Sequence, residues 1–288
     1  MPHLPALVDV ATLHERLGDP SVRVVDATVR FVVPPDGGRR RVESGRGSYD
    51  AAHVPGAVFG DLVGALSDPY APFGFTVPDP DAFAAEAGRL GIGSDTHVVV
   101  YTEAGPMWAT RLWWMLRYFG HDAVSVLDGG LTAWRAAGLP TEAGPVTVAP
   151  ATFVARPRPE RLASRAEVER MSAEGGTCLV NALSTAVFRG DGPSNYSRPG
   201  RIPGSVSAPW EGLVDRDTWR FRPLPELRAH LDAAGALGDE PVVAYCGGGI
   251  SATVDLFALS LLGRDDARLY DGSLTEWSAD PELPLETG

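Results

Sequence analysis

The stretch best suited to chemistry is a cysteine followed by three glycines, Cys246-Gly247-Gly248-Gly249-Ile250-Ser251. Glycines allow the backbone to curl tightly and turn its N–H groups inward, forming a cup for an anion that side chains would obstruct. A helix beginning just after the cup adds the positive end of its dipole. Such surroundings favour thiolate over thiol and predict a Cys246 pKa below the free value of about 8.5, hence a nucleophilic sulfur. The other cysteine, Cys178, opens the apolar run Cys178-Leu179-Val180 with no glycine around it and is expected to be inert packing. A reaction on an anionic donor needs a cation near the cup, and sequence position offers Arg189, Arg198 and Arg201. An arginine fork grips a sulfonate or carboxylate with two hydrogen bonds. Each has an equally weighted structural reading: Arg189 and Arg198 as surface-loop residues, Arg201 as partner of a carboxylate.

The elements that must position this loop are legible around it. Pro241-Val242-Val243-Ala244-Tyr245 is an apolar run of strand type, and Ala252 to Leu262 carries apolar residues at helical spacing. The same unit is written twice. Val24-Val25-Asp26-Ala27, His53-Val54-Pro55-Gly56-Ala57, Val98-Val99-Val100-Tyr101 and Asp128-Gly129-Gly130-Leu131-Thr132-Ala133-Trp134 return in order. Their counterparts are Leu179-Val180-Asn181-Ala182, Arg201-Ile202-Pro203-Gly204-Ser205, Val242-Val243-Ala244-Tyr245 and Asp271-Gly272-Ser273-Leu274-Thr275-Glu276-Trp277. Helical stretches at Ala82–Leu90, Trp108–Phe119, Arg165–Met171 and Leu227–Ala233 alternate with the strands, which predicts an α/β protein of two units, each a parallel sheet flanked by helices. Ser164 and Glu167 form an expected capping box. The expected division is residues 1–140, a Pro/Ala/Thr-rich linker over 141–160 that crosses one domain's surface, and 161–288.

Composition narrows the class. The 288 residues fit two domains, and 44% hydrophobic with 22% charged residues is a globular balance. No apolar stretch reaches the roughly 20 residues that span a bilayer, and no secretory leader is seen. With only two cysteines no disulfide framework is expected, which points to a reducing, cytoplasmic setting. The net charge of −12 argues against nucleic acid and anionic membranes as partners. All 25 basic residues are arginine, so no lysine can act as ligand or Schiff-base amine. The densest basic run, Gly37-Gly38-Arg39-Arg40-Arg41-Val42-Glu43, reads as a solvated loop. Trp108, Trp113, Trp114, Tyr118 and Phe119 have helical spacing and read as packing, within a core or between domains. None of His3, His14, His53, His97, His121 or His230 has ligand spacing with Cys or a carboxylate, so no metal site is expected; no organic cofactor is expected either.

Taken together, these motifs resemble the tandem-domain rhodanese superfamily, the thiosulfate and 3-mercaptopyruvate sulfurtransferases. The likeness runs from about Val8 to the closing Leu283-Pro284-Leu285-Glu286-Thr287-Gly288. It is carried by His53-Val54-Pro55-Gly56-Ala57, Gly120-His121, Val124 to Gly130, the cysteine loop, and Tyr270-Asp271-Gly272-Ser273 with Glu276-Trp277. The resemblance implies that the first domain has lost its cysteine, here replaced by Thr102, and that the second does the chemistry. It implies attack of Cys246 on the outer sulfur of a donor and a persulfide stabilised by the N–H groups of Gly247, Gly248, Gly249, Ile250 and Ser251. Release to cyanide, a thiol or a protein acceptor would follow. His53 is then structural, and Trp134 and Trp277 lock each unit's last helix to its sheet.

Departures from the family pattern bear on the donor. Thiosulfate enzymes typically carry Arg-Lys after the cysteine and mercaptopyruvate enzymes often Gly-Ser or Arg-Ser; this chain has Gly247-Gly248. The substrate-loop arginine is Val187 before Phe188, the second unit's motif histidine is Arg201, and its first-strand aspartate is Asn181. The mercaptopyruvate enzymes' histidine and second aspartate fall on Phe75 and Val63. Because those proton-handling residues are missing, thiosulfate is the expected donor, 3-mercaptopyruvate the second. Two alternatives stand beside this reading. A persulfide carrier serving a protein partner would need the same cup. A cysteine phosphatase or arsenate reductase would need an arginine closing a Cys-x5-Arg loop, where this chain has Ala252 and Thr253.

Overall fold

Strands rich in valine assemble into two parallel sheets flanked by helices, one sheet per sequence repeat. The computed structural model describes residues 4–32, 41–191 and 195–288. Two compact units emerge: Met1–Tyr70, Val77–Pro157 and Arg216–Arg220 form the first, and Ala71–Thr76, Arg158–Asp215 and Phe221–Gly288 the second.

Unit one contains β1 (Leu7–Val8), α1 (Val10–Glu15), β2 (Val22–Asp26), β3 (Val29–Val32), β4 (Arg41–Ser44), α2 (Arg46–Ala51), β5 (Val58–Phe59), α3 (Pro80–Arg89), β6 (His97–Tyr101), α4 (Met107–Tyr118), β7 (Val124–Leu127) and α5 (Gly130–Ala136). Its parallel sheet has the order β1-β7-β6-β2-β5, and β3 and β4 make a separate antiparallel pair. Arg41, Val42 and Glu43 of the basic run lie in β4 rather than in a loop, while Gly37 to Arg40, like His3, fall outside the described residues. Val24, Val99, Tyr101, Leu131 and Trp134 are among the buried residues of one core cluster. The stretch after α5 lies across this unit: Glu142 pairs with His53, Ala151 N–H donates to the Gly88 carbonyl, and Arg156 N–H to that of Phe119.

Unit two contains α6 (Arg165–Glu174), β8 (Cys178–Asn181), α7 (Thr185–Arg189), β9 (Val206–Ser207), a 3-10 turn at Trp210–Leu213, α8 (Leu224–Ala233), β10 (Val242–Tyr245), α9 (Ala252–Leu261), β11 (Arg268–Leu269) and α10 (Ser273–Ala279). Its sheet runs β11-β10-β8-β9, all parallel. The Ser164–Glu167 capping box is formed in full at the start of α6. β10 is buried at every residue, as a central parallel strand must be, and delivers Cys246 at its carboxyl end. Trp134 and Trp277 are both fully buried and donate Nε1–H to the carbonyls of Pro140 and Pro284 at 2.8 Å. Each therefore ties its last helix to the segment that follows. No helix among the described residues is long and apolar enough to cross a membrane.

Candidate active site

Cys246 leaves β10 and the chain turns at once. Gly249 adopts φ +71°, in the left-handed region that glycine enters without cost, and α9 begins at Ala252. The thiol's residue is only 1% exposed. Backbone bonds hold the turn from one side: Leu274 N–H donates to the Cys246 carbonyl at 3.1 Å, and Thr275 N–H to the Gly247 carbonyl at 2.8 Å.

The sequence reading missed the residue that clasps the loop, Ser273. Its Oγ accepts the N–H of Cys246 at 3.0 Å and that of Gly249 at 3.1 Å, and its own O–H donates to the Tyr270 carbonyl at 2.8 Å. Ser273 does this at φ +50°, a conformation that costs a non-glycine residue roughly 1 kcal/mol. The signal was present in Asp271-Gly272-Ser273 set against Asp128-Gly129-Gly130, where one copy has a hydroxyl and the other has none.

The clasp changes one expectation. The Gly249 N–H is bonded to Ser273 and is not held in reserve for charge on sulfur, because two amides converge on one hydroxyl oxygen. Among the described residues, the N–H groups of Gly247, Gly248, Ile250 and Ser251 have no protein acceptor. Ser251 occupies the N-cap of α9 without a side-chain cap bond, leaving the start of that helix open. A side chain at position 247 would meet the Tyr196 ring: a Cβ built there falls on its hydroxyl, so that the ring would have to move aside, whereas at Gly248 the nearest atom is Thr275 Oγ1 at 3.8 Å.

The three candidate arginines separate. Arg198 donates to the carbonyls of Ser278 at 3.0 Å, Asp280 at 2.5 Å and Leu283 at 2.8 Å, tying down the end of α10. Arg201 donates to the Gly288 carbonyl at 2.9 Å, pairs with Glu286 at 3.4 Å and lies 4.5 Å over the Phe188 ring. Both guanidinium groups are thus committed to main chain and carboxylate, the structural role weighed for Arg201. Arg189 is exposed and its side chain has no partner among the described residues. His53 is fully buried, its Nδ1 2.8 Å from the Tyr49 carbonyl and its Nε2 3.9 Å from Glu142. Cys178 is buried, with Sγ 3.6 Å from the Ala234 carbonyl and its pKa pushed up by burial. Among the described residues no group of three or more His, Cys, Asp or Glu side chains could hold a metal ion.

Two parallel-sheet units of common plan, with a cysteine at the strand-to-helix turn of one only, define a two-domain α/β protein with a single thiol centre. Residues 9–137 and 166–280 each match the rhodanese-like domain. The 3-mercaptopyruvate sulfurtransferase of Escherichia coli K12 is 36% identical over 276 residues, covering 95% of both chains. The thiosulfate/3-mercaptopyruvate sulfurtransferase 1 of Arabidopsis thaliana, a mitochondrial protein, is 34% identical over 98% of this chain and 78% of its own. The crystal structure of the 3-mercaptopyruvate sulfurtransferase SseA from Escherichia coli superposes with a TM-score of 0.82 at 34% identity, covering 94% of this chain and 99% of that one. The chain belongs to the rhodanese-like family, and its activity is sulfur transfer.

Proposed function

We propose that this sulfurtransferase loads Cys246 from 3-mercaptopyruvate rather than thiosulfate and passes the sulfur on to a thiol, cyanide or a protein acceptor. The observation that carries the choice is Gly247 with the Tyr196 hydroxyl lying where a side chain would start, so that the site is filled by a tyrosine rather than by the arginine that thiosulfate-type loops present there. This reverses the preference drawn from sequence, which rested on absent proton-handling residues. Relatives named for 3-mercaptopyruvate over nearly their whole length weigh on the same side.

In the proposed cycle the Cys246 thiolate attacks the donor's sulfur, the carbon–sulfur bond breaks, and the electron pair leaves on carbon as an enolate that takes up a proton to give pyruvate. The sulfur remains as a Cys246 persulfide. Gly247, Gly248, Ile250 and Ser251 supply amides for the negative charge on the two sulfurs, and Arg189 is the cation offered to the donor's carboxylate. A cytoplasmic location belongs to the same proposal and is supported by two free cysteines. Mass spectrometry of Cys246 after exposure to each donor tests it. The expected result is a gain of one sulfur atom with 3-mercaptopyruvate, far faster than with thiosulfate, and none in Cys246→Ser. Faster loading by thiosulfate overturns the donor, and a persulfide forming on Cys246→Ser overturns the nucleophile.

A further inference from the structure

Behind the cysteine loop lies a carboxyl for which the fold supplies no partner. Asp255, in the first turn of α9, is 0% exposed, and neither of its oxygens reaches a hydrogen-bond donor on any other described residue. Burying such a group costs on the order of several kcal/mol when it is charged and unpaired, so folded proteins keep it neutral or give it a partner. Among the described residues, the elements packed most closely on α9 bring no cation to it. From β10 comes Cys246; from the turn at Trp210–Leu213 comes Glu211, whose Oε2 is itself buried without a partner. On β11, Arg268 turns to Glu167 and the Leu162 carbonyl. On α8, the His230 ring lies against Gly212, and its pKa is pushed down by burial. Burial, then charge on Cys246, then charge on Glu211 all drive the Asp255 pKa well above the carboxylate range.

We propose that Asp255 is a positioning residue for the sulfur chemistry, a carboxyl held as the neutral acid behind the Cys246 loop whose ionisation closes the working pH range on its alkaline side. The reaction puts a negative charge on Cys246 twice, as thiolate and as persulfide. A neutral neighbour tolerates that charge, whereas an ionised one in the same low-dielectric interior opposes it. Burial first, and then the like charges of Cys246 and Glu211, keep Asp255 protonated, so an acid that looks hostile to an anion site leaves its interior uncharged. This rests on Cys246 being the nucleophile, which the Cys246→Ser experiment tests separately.

Two measurements decide it. Infrared difference spectra of the whole protein at neutral pH, wild type minus Asp255→Asn, are expected to show the carbonyl stretch of a protonated carboxylic acid. The rate of sulfur loading from 3-mercaptopyruvate is expected to fall about tenfold per pH unit beyond an alkaline edge in the wild type. Asp255→Asn keeps the acid edge and loses the alkaline one. Glu211→Gln moves the alkaline edge to lower pH, since removing a like charge eases ionisation of Asp255. Absence of the carboxylic-acid band, absence of an alkaline edge in the wild type, or its persistence in Asp255→Asn overturns the proposal. Should Asp255→Asn not fold, the Glu211→Gln profile still decides: an edge that stays in place or moves upward overturns it.

Discussion

The two strand-to-helix loops of this chain share a backbone plan and differ in what is left unbonded. Leu131 N–H donates to the Thr102 carbonyl as Leu274 N–H donates to that of Cys246. Thr132 Oγ1–H donates to the Glu103 carbonyl as Thr275 Oγ1–H donates to that of Gly247. The third residue on, Gly105 or Gly249, is left-handed in both. In unit one, however, Thr102 Oγ1–H donates to the Gly105 carbonyl and Glu103 N–H to Thr28 Oγ1 at 2.8 Å, so the loop is closed by two threonine hydroxyls, one of its own and one from just past the end of β2. In unit two the residue matching Thr28 is Leu183, which has no hydroxyl, and the Gly247 N–H stays open. The comparison teaches that the reactive loop is distinguished by acceptors removed from it as much as by the thiol placed in it.

One substitution runs against that trend, and breaking it should have the largest effect of those that test the comparison. Unit one has Gly130 at φ +54°, where a Cβ would collide with the Thr102 carbonyl; unit two has Ser273 at φ +50° with its hydroxyl under two loop amides. Ser273→Ala takes from the buried N–H of Cys246 its acceptor, at roughly 1–3 kcal/mol, and removes the Ser273 bond from Gly249. We expect loading of Cys246 to slow on the order of a hundredfold, a loss equal to about 3 kcal/mol in the barrier. Ser273→Gly, which copies unit one, should lose the same activity but less stability, because glycine relieves the left-handed strain. Full activity in Ser273→Gly would mean that the clasp does not position the loop.

A smaller effect is expected from giving unit two the closure that unit one has. Leu183→Thr places a hydroxyl where Thr28 accepts the Glu103 N–H. We expect it to take the Gly247 N–H and to slow sulfur loading about tenfold, somewhat below the cost of deleting a dedicated oxyanion donor. Melting temperature should change little, since Leu183 is only partly buried against its core. An unchanged loading rate would show that the Gly247 amide carries none of the charge.

Much of this was legible in sequence because it follows from local rules. An unbroken apolar run and helical spacing located β10 and α9 to within a residue, and the repeated motifs gave the two sheets their common plan. The glycines after Cys246 announced a tight turn, and Gly249 takes it. What escaped were contacts between residues far apart in the chain. Nothing near Arg198 shows that its guanidinium will be consumed by carbonyls some 80 residues on, as it is by Ser278 and Asp280. Ser273 looked like part of a terminal motif, since its hydroxyl meets Cys246 only after β11 has paired beside β10. Asp255 sat inside a helical apolar run as an unremarkable first-turn acid, and only tertiary burial removes every partner from it.

The smallest expected effect concerns the strands behind the loops. Asp26 and Asn181 end equivalent strands and do the same work: each Oδ1 accepts the N–H two residues on, of Thr28 or Leu183, at 2.9 Å. Asp26 is 1% exposed, and burial raises its pKa despite the hydrogen bonds from Thr28 and Tyr101 that lower it. A carboxyl whose pKa is higher folded than unfolded holds its proton longer in the folded chain. Its contribution therefore declines as pH rises from the ordinary carboxylate range through the raised value. Asn181 carries no such dependence. Asp26→Asn should flatten the fall in melting temperature over that interval and raise it by roughly a few degrees at neutral pH. Asn181→Asp should introduce the same fall in unit two. A wild-type melting temperature that climbs steadily across the interval, and a variant that climbs with it, would show that Asp26 is compensated by groups that Asn181 lacks.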